Sequence, residues 1–260
     1  MESASNAGSN SARPRLSIIL ATWQAAATLE RCLASTVEQT FTDWELIVAD
    51  GASTDGSIDI IRSYDAHIAW WASEKDKGIY DAWNKALEHA RGEYVCFIGA
   101  DDYWSKPGSL AHLFDSIGGV VYDLVTSVGQ IENTETGKRY TFGSAFDFQR
   151  IGPRAIVSHP GLLHRRVLFD EHGLFNTSYT IAAELEFLLR LPASTRSLHV
   201  DTVSVNIDAG GVSRSNVLSR LREQREVLKR CPRYGPVRAY LVWLDKLWRY
   251  PIARLFNISH

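Results

Sequence analysis

The sequence has no apolar run of the length that a membrane-spanning helix requires. Such a helix needs about 18 consecutive apolar residues, and none of the 260 residues begins a stretch of that kind. Residues 1–15 are rich in Ser, Asn and Ala and lack the hydrophobic segment of a secretory signal. We interpret them as a disordered tail. The rest of the chain is predicted to be one large globular domain, with or without a short appendage.

Cysteine is scarce, and two common nucleotide-binding motifs are missing. The three cysteines are far apart, and Cys32 and Cys96 lie in apolar runs typical of a core. A reducing compartment is the simpler interpretation. No Gly-Lys-Ser/Thr phosphate loop occurs, and no Gly-x-Gly-x-x-Gly follows the first apolar run. These absences argue against a nucleotide hydrolase and against a dinucleotide-dependent enzyme.

Short apolar runs alternate with helical patterns through the first hundred residues. The patterns predict strands at 16–20, 45–49, 68–71 and 94–98, and helices at 25–39, after residue 56, and at 78–91. Strands that alternate with helices form a parallel sheet covered on both faces. The predicted fold class is therefore α/β, Rossmann-like, with a mostly parallel sheet and flanking helices.

The pattern is looser after residue 105. It predicts a helix at 107–116, strands at 120–128 and 197–205, a turn at 134–137 between extended segments, and a short helix at 184–191. A polar helix at 213–229 and an amphipathic helix at 236–250 follow. The apolar face of the last helix combines Val237, Tyr240, Leu241, Leu244, Leu247 and Trp248, opposite Arg238, Asp245, Lys246 and Arg249.

Polar residues directly follow the three clearest strands of the first half. Thr22, Asp50 and the pair Asp101 and Asp102 stand at these positions. Ligands of an open parallel sheet bind at the carboxyl ends of its strands, so these side chains are predicted to meet at one rim. Any one of them alone is equally well explained as a turn or cap residue.

Two adjacent carboxylates at a strand end repel each other unless a cation or strong donors neutralise them. Mg²⁺ or Mn²⁺ held by Asp101 and Asp102 completes its coordination shell with water and substrate phosphates, which indicates a diphosphate leaving group. An isolated Asp-Asp pair is a weak motif, since it is frequently only a solvated turn.

Taken in order, these segments resemble glycosyltransferase family 2, whose fold is called GT-A. The matching segments are 16–24 (LSIILATWQ) for the opening strand, 48–56 (VADGASTDG) for the uridine-binding loop and 99–102 (GADD) for the DxD-type metal motif. Residues 73–85 (SEKDKGIYDAWNK) and 210–213 (GGVS) are similar to a bacterial branch that builds cell-surface polysaccharides and glycolipids. The resemblance covers about residues 16–213, divided into a nucleotide-binding half at 16–104 and an acceptor-side half at 105–213.

The resemblance implies a role for each matching residue. Thr22 and Asp50 are expected to contact the base or ribose of a nucleotide-diphosphate sugar, and Asp76 to line the same pocket. Asp102 is expected to be the principal ligand of Mn²⁺ or Mg²⁺, with Asp101 facing the metal or the ribose.

Lys85 and Gly211 are further candidates for donor binding. Lys85 either approaches the sugar or diphosphate of the donor or forms a surface ion pair with Asp81, one helical turn earlier. Gly210 and Gly211 form a turn that either closes over the donor or is an ordinary flexible loop.

Inverting sugar transfer requires a base that removes the proton of the attacking acceptor hydroxyl. In the family an Asp near the start of a helix usually supplies it, and Glu184 stands at that position. Its extra methylene moves the carboxylate by about 1.5 Å. Glu186 is the alternative base, although it points about 200° away on the same helix.

His159 and four aromatic residues have two interpretations each. His159 matches a histidine of the same family branch, but a core or loop position explains it as well. Four aromatic side chains near the rim either stack on a sugar or pack in the core: Trp23, Tyr80, Trp83 and Trp104.

The C-terminal residues 214–260 are predicted to form a basic helical module. Residues 214–254 hold 11 Lys and Arg against three acidic residues. The apolar stripe and basic flanks of 236–256 indicate a helix that lies on an anionic membrane surface, with packing on the catalytic domain or a homodimer contact as alternatives. No nucleic-acid motif is present, so no nucleic-acid partner is expected.

The expected function is an inverting, metal-dependent glycosyltransferase that uses a UDP-sugar and a glycolipid or oligosaccharide acceptor. It is expected in the cytoplasm, peripherally bound to the inner face of a bacterial plasma membrane. The alternatives are a sugar nucleotidyltransferase and a catalytically silent sugar-nucleotide-binding protein, the latter because Glu replaces Asp at position 184.

Overall fold

The computed structural model describes residues 13–132, 137–152, 157–208 and 217–255, so most of the predicted tail lies outside it. The strands of these ranges are β1 Leu16–Thr22, β2 Trp44–Asp50, β3 Trp70–Ser73, β4 Tyr94–Gly99, β5 Tyr103–Trp104, β6 Leu124–Glu132, β7 Arg139–Phe142, β8 Leu163–Arg165 and β9 Ser197–Asp208. The helices are α1 Ala26–Val37, α2 Ser57–Ser63, α3 Ile79–Leu87, α4 Ser109–Ile117, α5 Val167–His172, α6 Ala183–Arg190, α7 Val217–Arg230 and α8 Gly235–Leu255, with a 3-10 turn at Asp65–His67.

One sheet contains these strands in the order β3-β2-β1-β4-β8-β6-β9-β5, with β7 paired to β6. The first four strands are parallel to one another. Every residue of β1 is buried, since β1 lies between β2 and β4 and is covered on both faces. This position explains why β1 is a continuous apolar run and not an alternating one.

The other half of the sheet has mixed directions. β8 pairs antiparallel with both β4 and β6, while β9 runs parallel to β6 with irregular register near Val128. β5 is antiparallel to β9. The predicted α/β class with a mostly parallel, helix-flanked sheet is confirmed.

Two hydrophobic clusters cover the two faces of the sheet. Ile19, Ile47 and Phe97 point into one cluster, which α3 and α6 complete. The neighbouring residues of the same strands point into the other, against α1 and α4. This alternation follows from the two-residue period of a strand. The three cysteines, all within the described ranges, are free thiols, and two of them are buried.

Several predicted elements have different bounds in the structure, among them the helix predicted at 78–91 and the strand predicted at 120–128. The helix predicted at 78–91 ends at Leu87. Residues 88–90 continue as tight turns, in which each backbone N–H donates a hydrogen bond to the carbonyl three residues earlier. The strand predicted at 120–128 begins only at Leu124. The chain reverses at Gly118, where the positive φ of 57° favours glycine. The turn predicted at 134–137 lies almost wholly outside the described residues.

The two C-terminal helices pack against each other, and α7 also packs against α6. Val227 of α7 is buried in the same cluster as Ala183 and Phe187 of α6. The hydroxyl of Tyr234 donates a 2.6 Å hydrogen bond to the carbonyl of Ile151. No helix in the described part of the chain is both long enough and apolar enough to span a bilayer.

Candidate active site

The carboxyl ends of the four parallel strands meet at one rim, as the sequence predicts. Thr22 at the end of β1 is the register partner of Asp50 at the end of β2. Asp50 in turn pairs with Ser73 at the end of β3. Ala21 pairs with Gly99, the last residue of β4, so the Asp101 and Asp102 turn begins beside Thr22.

Asp50 and Thr22 each present a buried oxygen that has no protein partner. Oδ2 of Asp50 accepts hydrogen bonds from the Ser53 N–H (2.9 Å) and the Ser73 hydroxyl (2.6 Å). Its Oδ1 and the Thr22 Oγ1 are buried without a hydrogen bond among the described residues. Buried polar atoms are rarely left unpaired, because losing water without a replacement partner is costly. Both atoms are therefore suited to a bound polar ligand.

The loops after β1 and β2 are tied together at this rim. The Gln24 N–H donates to the Ser53 hydroxyl (2.8 Å), and the Gln24 side-chain carbonyl accepts from the Thr54 N–H (2.7 Å). Gln24 (φ 50°) and Ala52 (φ 61°) have positive φ without being glycine. Such strained residues persist where the surrounding structure holds them, often at functional sites.

A small recess beside Asp50 brings three of the predicted donor-site residues together. It lies between β2, β3 and α3, and its lining includes Asp50, Asp76 and Lys85. A Cβ at Gly51 would lie 2.8 Å from Asp76 Oδ2, so glycine permits this close approach. The recess thus joins Asp50, Asp76 and Lys85, and Thr22 lies next to it as the register partner of Asp50.

Lys85 forms ion pairs at the edge of this recess. Its Nζ lies 2.7 Å from Glu74 Oε1 and 3.5 Å from Asp81 Oδ2. The predicted ion pair with Asp81 is present, and Glu74 is the closer partner. The hydrogen bond to Glu74 raises the pKa of Lys85, which keeps its ammonium group charged.

Asp101 and Asp102 form a turn in which both carboxylates point back toward Gly99. A Cβ at Gly99 would lie 2.7 Å from Asp101 Oδ1 and 3.1 Å from Asp102 Oδ2. Asp102 is only 6% exposed. Burial and then the charge of Asp101 raise its pKa to about 8. Burial raises the pKa of Asp101 as well, and the charge of Asp208 adds to the rise.

No cationic side chain contacts the carboxylate of Asp102 in the described part of the chain. Within residues 13–132, 137–152, 157–208 and 217–255, its oxygens accept two long hydrogen bonds, from the Gly99 N–H (3.3 Å) and the Asp208 N–H (3.4 Å). The nearby Arg31 donates to the backbone carbonyl of Asp101 (3.1 Å) and pairs with Asp208 (3.9 Å). The negative charge at Asp102 is therefore poorly compensated by the protein.

These residues fit a hard divalent cation that is only partly ligated by protein. Oxygen ligands suit Mg²⁺ and Mn²⁺. A bound cation would supply the positive charge that no described side chain provides at the Asp102 carboxylate. The described residues contain no group of three or more His, Cys, Asp or Glu side chains arranged to hold a metal. A cation here would thus take most of its ligands from water and from a phosphorylated substrate.

Glu184 lies in the first turn of α6, within electrostatic reach of the acidic turn. Burial raises its pKa to about 8, and the charge of Asp102 contributes to the rise. The side chain keeps 31% exposure, so substrate can reach it. Its Oε1 lies 3.3 Å from Nδ1 of the buried His159. Burial, followed by the charge of His164, lowers the pKa of His159 well below its usual value, so the ring is neutral.

Glu186 lies on a different side of α6. Its Oε2 is 3.2 Å from the guanidinium of Arg190, one turn later. Burial raises its pKa, while Arg190 opposes the rise. Of the two carboxylates, Glu184 has a pKa on which the charge of Asp102 acts, whereas the pKa of Glu186 responds to Arg190.

The aromatic candidates divide into buried and exposed residues. Tyr80, Trp83 and Trp104 are buried in the two hydrophobic clusters. Trp83 stacks on the ring of His159, with centroids 5.5 Å apart. Trp23 is 69% exposed at the rim and remains available to a ligand. Gly210 and Gly211 lie outside the described residues.

The sequence analysis did not identify Arg31 and Asp208, which border the acidic turn. Asp208 is the last residue of β9, a position like that of Asp50 in β2. The guanidinium of Arg31 also stacks on the Tyr103 ring, 4.2 Å from its centroid. The predicted strand 197–205 ends three residues before Asp208, and the helical position of Arg31 gave no indication of its role.

Comparison with known protein families gives one match over most of the chain. The model described as "Glycosyl transferase family 2" matches residues 17–173. A relative from Mycobacterium bovis named "PGL/p-HBAD biosynthesis glycosyltransferase" is 35% identical over 254 residues, which is 94% of each chain. The Escherichia coli protein WfaP is 27% identical over 223 residues, covering 82% of this chain and 85% of WfaP. Its full name is UDP-Glc:alpha-D-GlcNAc-diphosphoundecaprenol beta-1,3-glucosyltransferase.

Solved structures agree in fold. The mannosyltransferase PcManGT from Pyrobaculum calidifontis, in complex with GDP-Man and Mn²⁺, superposes with a TM-score of 0.68. The superposition covers 94% of this chain and 74% of PcManGT, with 20% sequence identity. At this identity the likeness establishes the shared GT-A fold alone.

Proposed function

Since this chain belongs to glycosyltransferase family 2 and is a transferase of cell-surface glycan biosynthesis, we propose that it is an inverting, metal-dependent enzyme. It moves a sugar from a UDP-sugar to a glycolipid or polysaccharide-precursor acceptor. The observation that carries this proposal is that the poorly compensated Asp102 lies near enough to Glu184 for its charge to raise the pKa of that carboxylate. The unpartnered oxygens of Thr22 and Asp50 lie along the same rim.

In the proposed donor complex, Thr22 and Asp50 contact the base or ribose and Asp76 lines the same pocket. The free oxygen of Asp50 is an acceptor, which suits an N–H or O–H of the nucleoside. Lys85, charged and at the edge of the recess, contacts the sugar or diphosphate. WfaP, whose name states a UDP-glucose donor, favours uridine over other nucleosides.

Asp102, with Asp101, would hold Mn²⁺ or Mg²⁺. When bound, the cation neutralises charge that develops on the departing diphosphate. The buried, weakly hydrogen-bonded carboxylate of Asp102 supports this role, as does the Mn²⁺ in the PcManGT complex.

Glu184 acts as the base in this mechanism. It takes the proton of the acceptor hydroxyl while that oxygen bonds to the anomeric carbon from the face opposite the diphosphate. The bond from the anomeric carbon to the diphosphate oxygen breaks, and the nucleoside diphosphate leaves with the electron pair. The neutral His159, 3.3 Å from Glu184, restrains the carboxylate against the buried aromatic cluster.

A donor screen tests the proposed activity without knowledge of the acceptor. UDP-sugars with Mn²⁺ are expected to raise the thermal midpoint more than GDP- or dTDP-sugars do. At a donor concentration 100 times the dissociation constant, binding adds about 2.7 kcal/mol, which is roughly 5–10 °C for a chain of this size. Slow donor hydrolysis should then release a nucleoside diphosphate.

Two other outcomes would assign other functions. Release of pyrophosphate when UTP and a sugar 1-phosphate replace the UDP-sugar would indicate a nucleotidyltransferase. Binding of a nucleotide sugar without hydrolysis, and without transfer to any lipid-linked or oligosaccharide acceptor, would indicate a silent binding protein.

We propose further that α8 lies on an anionic membrane surface at the inner face of the plasma membrane. Its apolar stripe points away from the protein: Val237, Tyr240, Leu241, Leu244 and Trp248 are exposed. Lys246, on the opposite face, points inward and donates to Gln224 (3.0 Å). This orientation argues against packing of the stripe on the catalytic domain. The lipid-linked acceptor in the name of WfaP supports a membrane location.

Substitutions in the stripe test the membrane proposal. Leu241→Glu with Trp248→Glu should weaken binding to vesicles of anionic phospholipid by tenfold or more, because each apolar side chain gains about 1.5–3 kcal/mol on burial. Co-sedimentation with these vesicles measures the fraction of protein bound. Val121→Glu, at an exposed apolar residue elsewhere, is the matched control. Unchanged binding by the double variant would contradict the proposal, and a loss of dimer in solution would assign the stripe to a second copy of the chain.

A further inference from the structure

A single carboxylate from the C-terminal helix α7 binds the segment that leads into α6. Oε2 of Glu223 accepts hydrogen bonds from the N–H groups of Thr180 (3.1 Å), Ile181 (2.8 Å) and Ala182 (3.0 Å). Its Oε1 accepts from the Thr180 N–H (3.1 Å) and from the Thr180 hydroxyl (2.6 Å). Three successive N–H groups that converge on one anion form a backbone nest.

The local sequence does not supply this anion. α6 is preceded by Ala182, which has no side chain to cap the helix. Glu223 replaces the missing cap from 41 residues away in the chain. Two residues after the nest comes Glu184, so the nest defines where the first turn of α6 lies. The helix has only eight residues, and its own hydrogen bonds are too few to hold that turn independently.

Glu223 remains an anion in this environment. Partial burial raises its pKa, but the hydrogen bonds from Thr180, Ile181 and Ala182 outweigh that effect and lower the pKa below its usual value. The buried Tyr80 hydroxyl of α3 lies near the same turn, since the backbone of Glu184 and Ala183 partly offsets the rise in its pKa that burial causes. The hydrogen bonds that hold the start of α6 come from Glu223 of α7.

We propose that Glu223 is a positioning residue for the catalytic base Glu184, which makes the C-terminal helical module part of the catalytic apparatus. This inference rests on the proposed function, since it assumes that Glu184 is the base. The charged nest holds the segment 180–182, and that segment places Glu184 opposite Asp102. Loss of the nest lets the start of α6 shift, and a misplacement of about 1 Å can reduce a rate about 100-fold.

Glu223→Gln in the full-length chain tests the proposal. The amide keeps the size of the side chain but removes the charge and one of the two acceptor oxygens. We expect kcat for sugar transfer to fall about 10- to 100-fold. The KM and the thermal shift with UDP and Mn²⁺ should stay unchanged, because the donor pocket lies on other elements. Glu226→Gln is the matched control on the same helix, since Glu226 pairs with Arg225 and Lys229 of α7 itself.

Two further variants keep the result interpretable. Glu223→Asp retains the charge with a shorter reach and should give an intermediate kcat, even if the glutamine variant folds poorly. A kcat within twofold of the parent for both Glu223→Gln and Glu223→Asp would overturn the proposal. A parallel loss of kcat and UDP affinity would overturn it as well. Full activity in Glu184→Gln would instead remove the proposed base, and with it the proposed function.

Discussion

Asp102→Asn is expected to reduce sugar transfer by about 100- to 1,000-fold, the usual effect of losing one electrostatic contact to the departing charge. The amide oxygen is a much weaker ligand for a hard cation than a carboxylate. Transfer measured over a range of Mn²⁺ concentrations should show that the loss persists at saturating metal. The addition of Mn²⁺ with UDP should raise the thermal midpoint of the parent but not of the variant.

The same substitution is expected to leave the metal-free protein at least as stable as the parent. The pKa of Asp102 is raised from 3.8 to about 8 in the folded state. Between these two values the folded state holds a proton that the unfolded state has lost, so stability falls as pH rises through this window. At pH 8 the neutral amide avoids that penalty. Urea denaturation at pH 6 and pH 8, without metal, measures the difference.

Asp59→Asn is the matched control for Asp102→Asn. Asp59 is an exposed carboxylate paired with Arg62 on the surface, and its loss should change neither activity nor metal response. If Asp102→Asn retained near-parental transfer, or if it destabilised the metal-free protein at pH 8, the assignment of Asp102 as metal ligand would be wrong.

Glu184→Gln is expected to reduce kcat by about 100- to 10,000-fold, the range that general-base catalysis contributes. The donor KM should change little, because the proposed role of Glu184 is to act on the acceptor hydroxyl. Glu186→Gln should cost less than tenfold, because Glu186 pairs with Arg190 and not with the acidic turn. A larger effect at Glu186 than at Glu184 would reverse the two roles.

The dependence of kcat on pH gives a second measure of the base. Glu184 must lose its proton to act, so kcat should rise with pH up to its pKa and then level. Burial and the charge of Asp102 place that pKa at about 8 without metal. A cation bound at Asp102 removes the second contribution, so the rise should move to lower pH at saturating Mn²⁺. Glu184→Gln should lose this rising limb.

The rim at the carboxyl ends of the parallel strands could be predicted from the sequence. Thr22, Asp50 and the Asp101 and Asp102 pair each follow an apolar run, and parallel strands end at one edge of a sheet. The helical period also separated Glu184 from Glu186. It could not say which of them faces the acidic turn, because an amphipathic pattern contains no information about the neighbouring element.

Contacts between residues that are far apart in the chain could not be predicted from the sequence for a related reason. Asp208 and Arg31 reach the acidic turn from β9 and α1, and Glu223 reaches α6 from α7. Each contact joins residues that are far apart in the chain. A polar residue on an exposed helix face looks the same in sequence whether it contacts water or a distant backbone.

The amino-acid sequence by itself determined the α/β class, the order of the parallel strands' polar ends and the amphipathic character of α8. These features depend on local periodicity, which neighbouring residues create together. Only the tertiary structure decided that the apolar stripe of α8 points outward, that the charge of Asp102 acts on Glu184, and that Glu223 binds the start of α6. These depend on which surfaces meet when the chain packs, and packing joins residues that no local pattern connects.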